Sequence, residues 1–159
     1  MSITLNDLTA NFEHVDGTVL LEDWAWLLGK DMLPVVVTAM GNVFLRDGAD
    51  GSIHLLDIGT GKLEPIADTA EEFQSLLGQT EFVMERFLVN DFLAAKEVVG
   101  TLKPQQVYGY KVPPVLGGGF DAGNLEPTSL EVHFSVAGQI HEQVQKLPPG
   151  TPVSAVKLK

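Results

Sequence analysis

The chain has no cysteine, which excludes disulfides and thiolate metal sites and fits a reducing compartment. No apolar run approaches the ~20 residues a membrane span needs. The start, Met1-Ser2-Ile3-Thr4-Leu5-Asn6-Asp7, lacks the basic head and apolar core of a signal peptide. Positive charge is scarce, with 10 basic residues against 21 acidic ones and a net charge of −11. Such a chain repels phosphate backbones, which argues against direct nucleic-acid binding. The same charge favours solubility and faster encounter with a basic partner. The expectation is a soluble cytoplasmic protein that contacts neither nucleic acid nor membrane directly. Its 159 residues suit one domain over residues 1–159, which at this size buries roughly 70% of its unfolded surface.

Reactive constellations are also missing. No Gly-x-Ser-x-Gly elbow frames any serine. Gly117-Gly118-Gly119 is followed by Phe120-Asp121, where a phosphate loop needs Lys-Ser/Thr and a helix start. Asp47-Gly48-Ala49-Asp50-Gly51 fails the calcium-loop pattern, with Ala49 at the third position and Ile58 where the closing Glu belongs. Of the four histidines, only His133 and His141 are near in sequence, with no carboxylate at a zinc-motif spacing. Neither cofactor nor metal is expected, and no residue is assigned a catalytic role.

What the chain does carry is patterning for an α+β fold: a largely antiparallel central sheet with packed helices. Leu5, Leu8 and Phe12 predict a short helix over Thr4–Phe12. Thr18–Leu28 is open between strand and buried helix. Leu33–Leu45, Ile53–Ile58 and Leu63–Ile66 are separated by Gly41-Asn42, Asp47–Gly51 and Gly59-Thr60-Gly61, which predicts a meander over about 33–67. Gly41-Asn42 fits either a tight turn or a bulge. Thr69 with Glu72 predicts a helix start, and further helices follow over Glu81–Leu88 and around Phe92–Val99. Leu130, Val132 and Phe134 alternate as in a strand, and Ala137–Leu147 is spaced as a helix. Val153–Leu158 fits an edge strand guarded by Lys157 and Lys159. Trp24/Trp26 and Tyr108/Tyr110 fit either core packing or aromatic anchors at a partner.

Several fragments act together: Trp24-Ala25-Trp26-Leu27-Leu28, Met40–Phe44, Gly51–Asp57, Leu102-Lys103-Pro104 with Tyr108, Pro113–Gly118, and Gly138–Gln143 with Leu147-Pro148-Pro149-Gly150. In this combination and order the chain resembles a bacterial family of unknown function. That domain also forms the C-terminal part of type VI secretion DNase-immunity proteins, and its fold is loosely like the SUKH group. The resemblance implies a non-enzymatic α+β domain that protects a bacterium by binding a toxin, with a basic nuclease as a fitting partner. The chain departs from the family pattern at Asn42, where an acidic residue is frequent, and at Gly119, which precedes Phe120-Asp121. Both are candidate contact positions. So are the turn and loop residues Asp47, Asp50, Phe120, Asp121 and Asn124, which are the natural places to present acidic, aromatic and polar groups. Two other functions fit the same residues. One is a housekeeping interaction or regulatory module without a toxin. The other is a small enzyme, whose sign would be perturbed titratable groups such as His54 or His133 around one pocket.

Overall fold

The β-branched and aromatic segments of the first half pair in sequence order. In the computed structural model, which describes residues 3–151 and 156–159, five strands form one antiparallel sheet. They are β1 (Thr9–Ala10), β2 (Met32–Thr38), β3 (Val43–Asp47), β4 (Ile53–Asp57) and β5 (Lys62–Ala67), in the order β1-β2-β3-β4-β5. Gly41-Asn42 is the turn between β2 and β3, and a separate bulge falls between Pro34 and Val36. A second sheet pairs β6 (Gln106–Tyr110) with β7 (Leu125–Ser129), antiparallel. The Tyr108 N–H donates to the Ala39 carbonyl at 2.8 Å, which hangs this ribbon on the β2–β3 turn.

The helices are α1 (Gly17–Leu20), α2 (Ala25–Leu28), α3 (Ala70–Leu77), α4 (Thr80–Arg86), α5 (Val89–Val99) and α6 (Leu130–Gln145). They cover both faces of the main sheet. Phe44, Ile53 and Leu55 pack with Phe73, Phe87 and Phe92 of the α3–α5 side. Val43, Leu45 and Leu56 pack with Trp24, Leu28, Leu130 and Phe134 of the α1, α2 and α6 side. That double cover explains why Val43-Phe44-Leu45 is a continuous apolar run with no exposure at all, whereas a one-sided strand would alternate.

Two expectations change and one open reading is settled. Thr4–Phe12 is not a helix: Leu5–Leu8 makes one 3-10 turn, and Thr9 and Ala10 then leave it to pair with Thr38 and Val37. Sheet pairing outweighs a weak helical spacing there. Thr18–Leu28 resolves as two helical turns, α1 and α2, joined by the 3-10 turn Glu22–Trp24. Leu130–Phe134 is the first turn of α6, not a strand: Leu130 and Phe134 are fully buried while Val132 is 53% exposed, a helical and not an alternating pattern. The strand lies just before it, at β7. For Val153–Leu158, residues 153–155 lie outside the described residues. Beyond them, the Lys157 N–H donates to the Gln143 side chain and the Lys159 N–H to that of Gln139, in place of a strand partner.

Candidate protein-interaction site

The β2–β3 turn, the β4–β5 turn and helix α6 meet at one end of the meander. The β2–β3 and β4–β5 turns lie at that end, two strand spacings or about 10 Å apart. Helix α6 crosses both. His133 and His141 are eight residues apart, about 12 Å along a helix. The His133 Nε2–H donates to the Gly41 carbonyl at 2.8 Å and the His141 Nε2–H to the Ile58 carbonyl at 2.9 Å. Gly41 and Gly61 both have positive φ, and a Cβ on either would meet the imidazole lying over it. Asn42 ties the two turns together: its Oδ1 accepts from the Ile58 N–H at 2.9 Å, and its N–H donates to Thr38 Oγ1. Only 6% of Asn42 is exposed, so this departure from the family pattern sits in the framework and not on the contact surface.

The tryptophans belong to the same framework. Trp24 Nε1–H donates to the Phe134 carbonyl at 2.9 Å and Trp26 Nε1–H to the Gly138 carbonyl at 3.2 Å. Both rings stack and fasten α2 and the turn before it to α6. Core packing is therefore their role, and it is also the role of Tyr108, which is buried with its hydroxyl on the Gly100 carbonyl.

The Pro113–Asn124 segment folds as a strap beyond β6. Gly117 takes φ +100 at the end of the 3-10 turn Pro114–Leu116, and a Cβ on Gly118 would overlap the Val112 carbonyl. Asn124 closes the strap. Its Nδ2–H donates to the carbonyls of Val112 and Gly119, both at 2.8 Å, and its Oδ1 accepts from the Val112 N–H at 3.0 Å. The tip presents Phe120, 60% exposed, edge-on to Tyr110, with exposed Asp121 beside it.

The predicted contact residues thus separate into two groups. Phe120, Asp121 and Asn124 lie at the end carrying the β4–β5 turn, since Tyr110 packs against Gly59. Asp47 and Asp50 lie at the far tip of the β3–β4 hairpin, about 16 Å away along a five-residue strand. There they build the turn: Asp47 Oδ1 accepts from the Ala49 N–H, and Asp50 Oδ1 accepts from the Ser52 N–H and hydroxyl. The Ser52 hydroxyl bond, with the N–H bond behind it, holds the Asp50 carboxyl below its usual range.

Among the described residues, two histidine-centred arrangements invite an enzymatic reading and neither supplies the chemistry. Ser52 Oγ lies 2.8 Å from His54 Nε2 and 2.6 Å from Asp50 Oδ1. A hydroxyl that donates to the carboxylate must accept from the imidazole, so the ring cannot take the serine proton, as a nucleophilic pair requires. The second is a cavity of about 250 Å³ lined by Ile58, Tyr110, Pro114, His133, Ile140 and His141, among others. It falls below the usual range for small-molecule sites. Burial pushes His133 down to about 4, partly opposed by its bond to Gly41. Burial, with the Asp57 and Asp91 carboxylates, pushes Tyr110 up to about 12. Both groups therefore move away from neutral pH, where an acid–base pair needs to exchange protons. Among the described residues, no three His, Asp or Glu side chains come together to hold a metal, and no helix is long and apolar enough to cross a membrane.

Exposed apolar Met84 on α4 and Leu93 on α5 escaped the sequence reading, and Val98, whose spacing with Phe92, Ala95 and Val99 predicts a place on the core face, is instead 64% exposed. On α5, Leu93 and Val98 lie off the Phe92–Ala95–Val99 stripe that packs on the core, so core packing leaves them unexplained.

The comparisons agree with this architecture. The chain spans 62% of one solved protein, the crystal structure of Atu4351 from Agrobacterium tumefaciens, and 74% of this chain is covered, at a TM-score of 0.55 and 20% identity. That likeness is one of fold. The comparison with curated proteins gives no match. The family model described as T6SS immunity protein Tdi1, C-terminal, matches residues 67–141, a span that holds α3–α5, the strap and the histidine face of α6, and so bears out the family resemblance read from the sequence.

Proposed function

We propose that this chain is a non-enzymatic, protein-binding immunity domain that sequesters a bacterial toxin in the cytoplasm. The observation that carries the reading is the match of residues 67–141 to the C-terminal domain of a type VI secretion immunity protein. The net charge of −11 supports a basic partner. A nuclease suits best, because its nucleic-acid groove is basic by necessity and an acidic domain seated there blocks substrate entry without any chemistry of its own. In this reading Phe120 and Asp121 are direct contacts, Asn124 holds them in place, and Asp47 and Asp50 add charge from the opposite end.

Co-expression tests it. The reading frame beside this gene is induced in a laboratory bacterium with and without this chain. Growth arrest relieved by the chain, with the two products copurifying, is the expected result. A harmless neighbour, or arrest that persists while the chain is abundant and soluble, overturns the reading.

A further inference from the structure

A groove of about 400 Å³ runs between the N-terminal turn Leu5–Leu8 and helices α4 and α5. Its rim is apolar: Leu5, Met84 and Leu93 are 37, 42 and 43% exposed, and all three line it. A single exposed leucine needs no explanation, but three large apolar side chains meeting along one groove mark an interaction site. The helices give the reason they are available. On α5, Val89, Phe92 and Ala95 fill the core, and Leu93 projects about 100° away from Phe92.

Charge identifies the occupant. Glu81 and Glu85 flank Met84 on the exposed side of α4, and Glu97 follows Leu93 one turn on along α5. All three are exposed, and among the described residues none forms an ion pair. The cations nearest in sequence each have another carboxylate beside them. Arg86 binds Glu64 of β5, and Lys96 lies close enough to Asp7 to lower that carboxyl slightly, after the larger effect of the Thr4 hydrogen bonds. An apolar rim with three exposed carboxylates on the neighbouring helix surface repels an anionic lipid surface and complements a helix with one apolar and one basic face.

We propose that this groove docks a basic amphipathic helix of a protein partner. Apolar side chains at i, i+3/i+4 and i+7 seat on Leu5, Met84 and Leu93, and Lys or Arg side chains meet Glu81, Glu85 and Glu97. Met84 adapts to the shape of the incoming side chain. The inference rests on the protein-binding reading above and adds the surface and the kind of element it receives.

The probe is a fluorescein-labelled 14-residue Leu/Lys peptide in amphipathic order, titrated with the full chain by fluorescence anisotropy. A scrambled peptide of the same composition is the reference. Binding at least tenfold tighter than the scramble is expected. L93Q and the double variant E81K/E85K each weaken it at least tenfold, while E22K/D31K, with the same charge change on another surface, leaves it within twofold. Circular dichroism verifies that each variant is folded. Equal binding of the scramble, or equal loss in E22K/D31K, reduces the effect to bulk charge and overturns the proposal. So does a sedimentation dimer abolished by L93Q, which assigns the groove to a second copy, or binding to anionic vesicles abolished by L93Q, which assigns it to lipid. Peptide failure with intact growth rescue removes the groove and leaves the immunity reading standing; peptide binding without rescue does the reverse.

Discussion

His133 carries two jobs in one ring. It fills the space that Gly41 leaves open and gives its Nε2–H to the Gly41 carbonyl; that bond favours the charged ring, and burial outweighs it. Burial holds its pKa at about 4 against an ordinary 6.5. The sign of the pH effect follows. Above pH 6.5 the ring is neutral in both the folded and unfolded chain and contributes no pH dependence. Between 6.5 and 4 the unfolded chain takes up a proton that the folded chain refuses, so stability falls as pH falls. A shift of this size corresponds to about 3 kcal/mol. Urea unfolding of the parent chain and of His133→Gln at pH 7, 5.5 and 4.5 checks this. Gln keeps an N–H for Gly41 and does not titrate, so its stability should decline less steeply with acid. Parallel declines would mean that the carboxylates alone set the acid sensitivity.

At the scale of elements, legibility followed the range of the interactions. The meander was readable because each turn is written in local chemistry: Gly41-Asn42, Asp47–Gly51 and Gly59–Gly61 each close a hairpin between neighbouring segments. The start of α3 was readable for the same reason, since Thr69 Oγ1 accepts from the Glu72 N–H. The first turn of α6 was not readable as helix, because its inward face includes His133, a polar residue whose burial depends on a carbonyl 92 positions away. With that residue left out, Leu130, Val132 and Phe134 mimic a strand. The strap was visible only as glycines and prolines. What gives them a shape is Asn124, twelve residues from Val112, and the residue first read as a contact is the one that fastens the loop. Asn124→Ala deletes three hydrogen bonds at a half-buried site, a loss of roughly 2 kcal/mol if each contributes about 0.5–1. Hydrogen exchange should quicken at the Lys111 and Val112 amides and stay unchanged across β3 and β4. Unaltered exchange in the strap would show that its prolines and glycines suffice to shape it.

Across the whole molecule, the acidic groups named as contacts occupy separate regions, and their distances decide how each acts. Asp121 sits on the strap, whose Ala122–Asn124 turn packs on α5, the helix that also borders the apolar groove. Asp47 and Asp50 point from the opposite end of the meander, about two Debye lengths away at physiological salt. A contact residue and a remote charge leave different kinetic traces. A remote charge alters only the encounter rate, and salt screens it; a contact also alters how long the complex lasts. With the copurified partner on a sensor surface, Asp121→Lys should slow association several-fold and also speed dissociation. The pair Asp47→Lys and Asp50→Lys should slow association at low salt, lose that effect near physiological salt, and leave dissociation unchanged. The opposite ranking would move the interface to the β3–β4 tip. Equal effects on association with no change in dissociation from either end would show that the −11 net charge steers as a whole and that neither loop touches the partner.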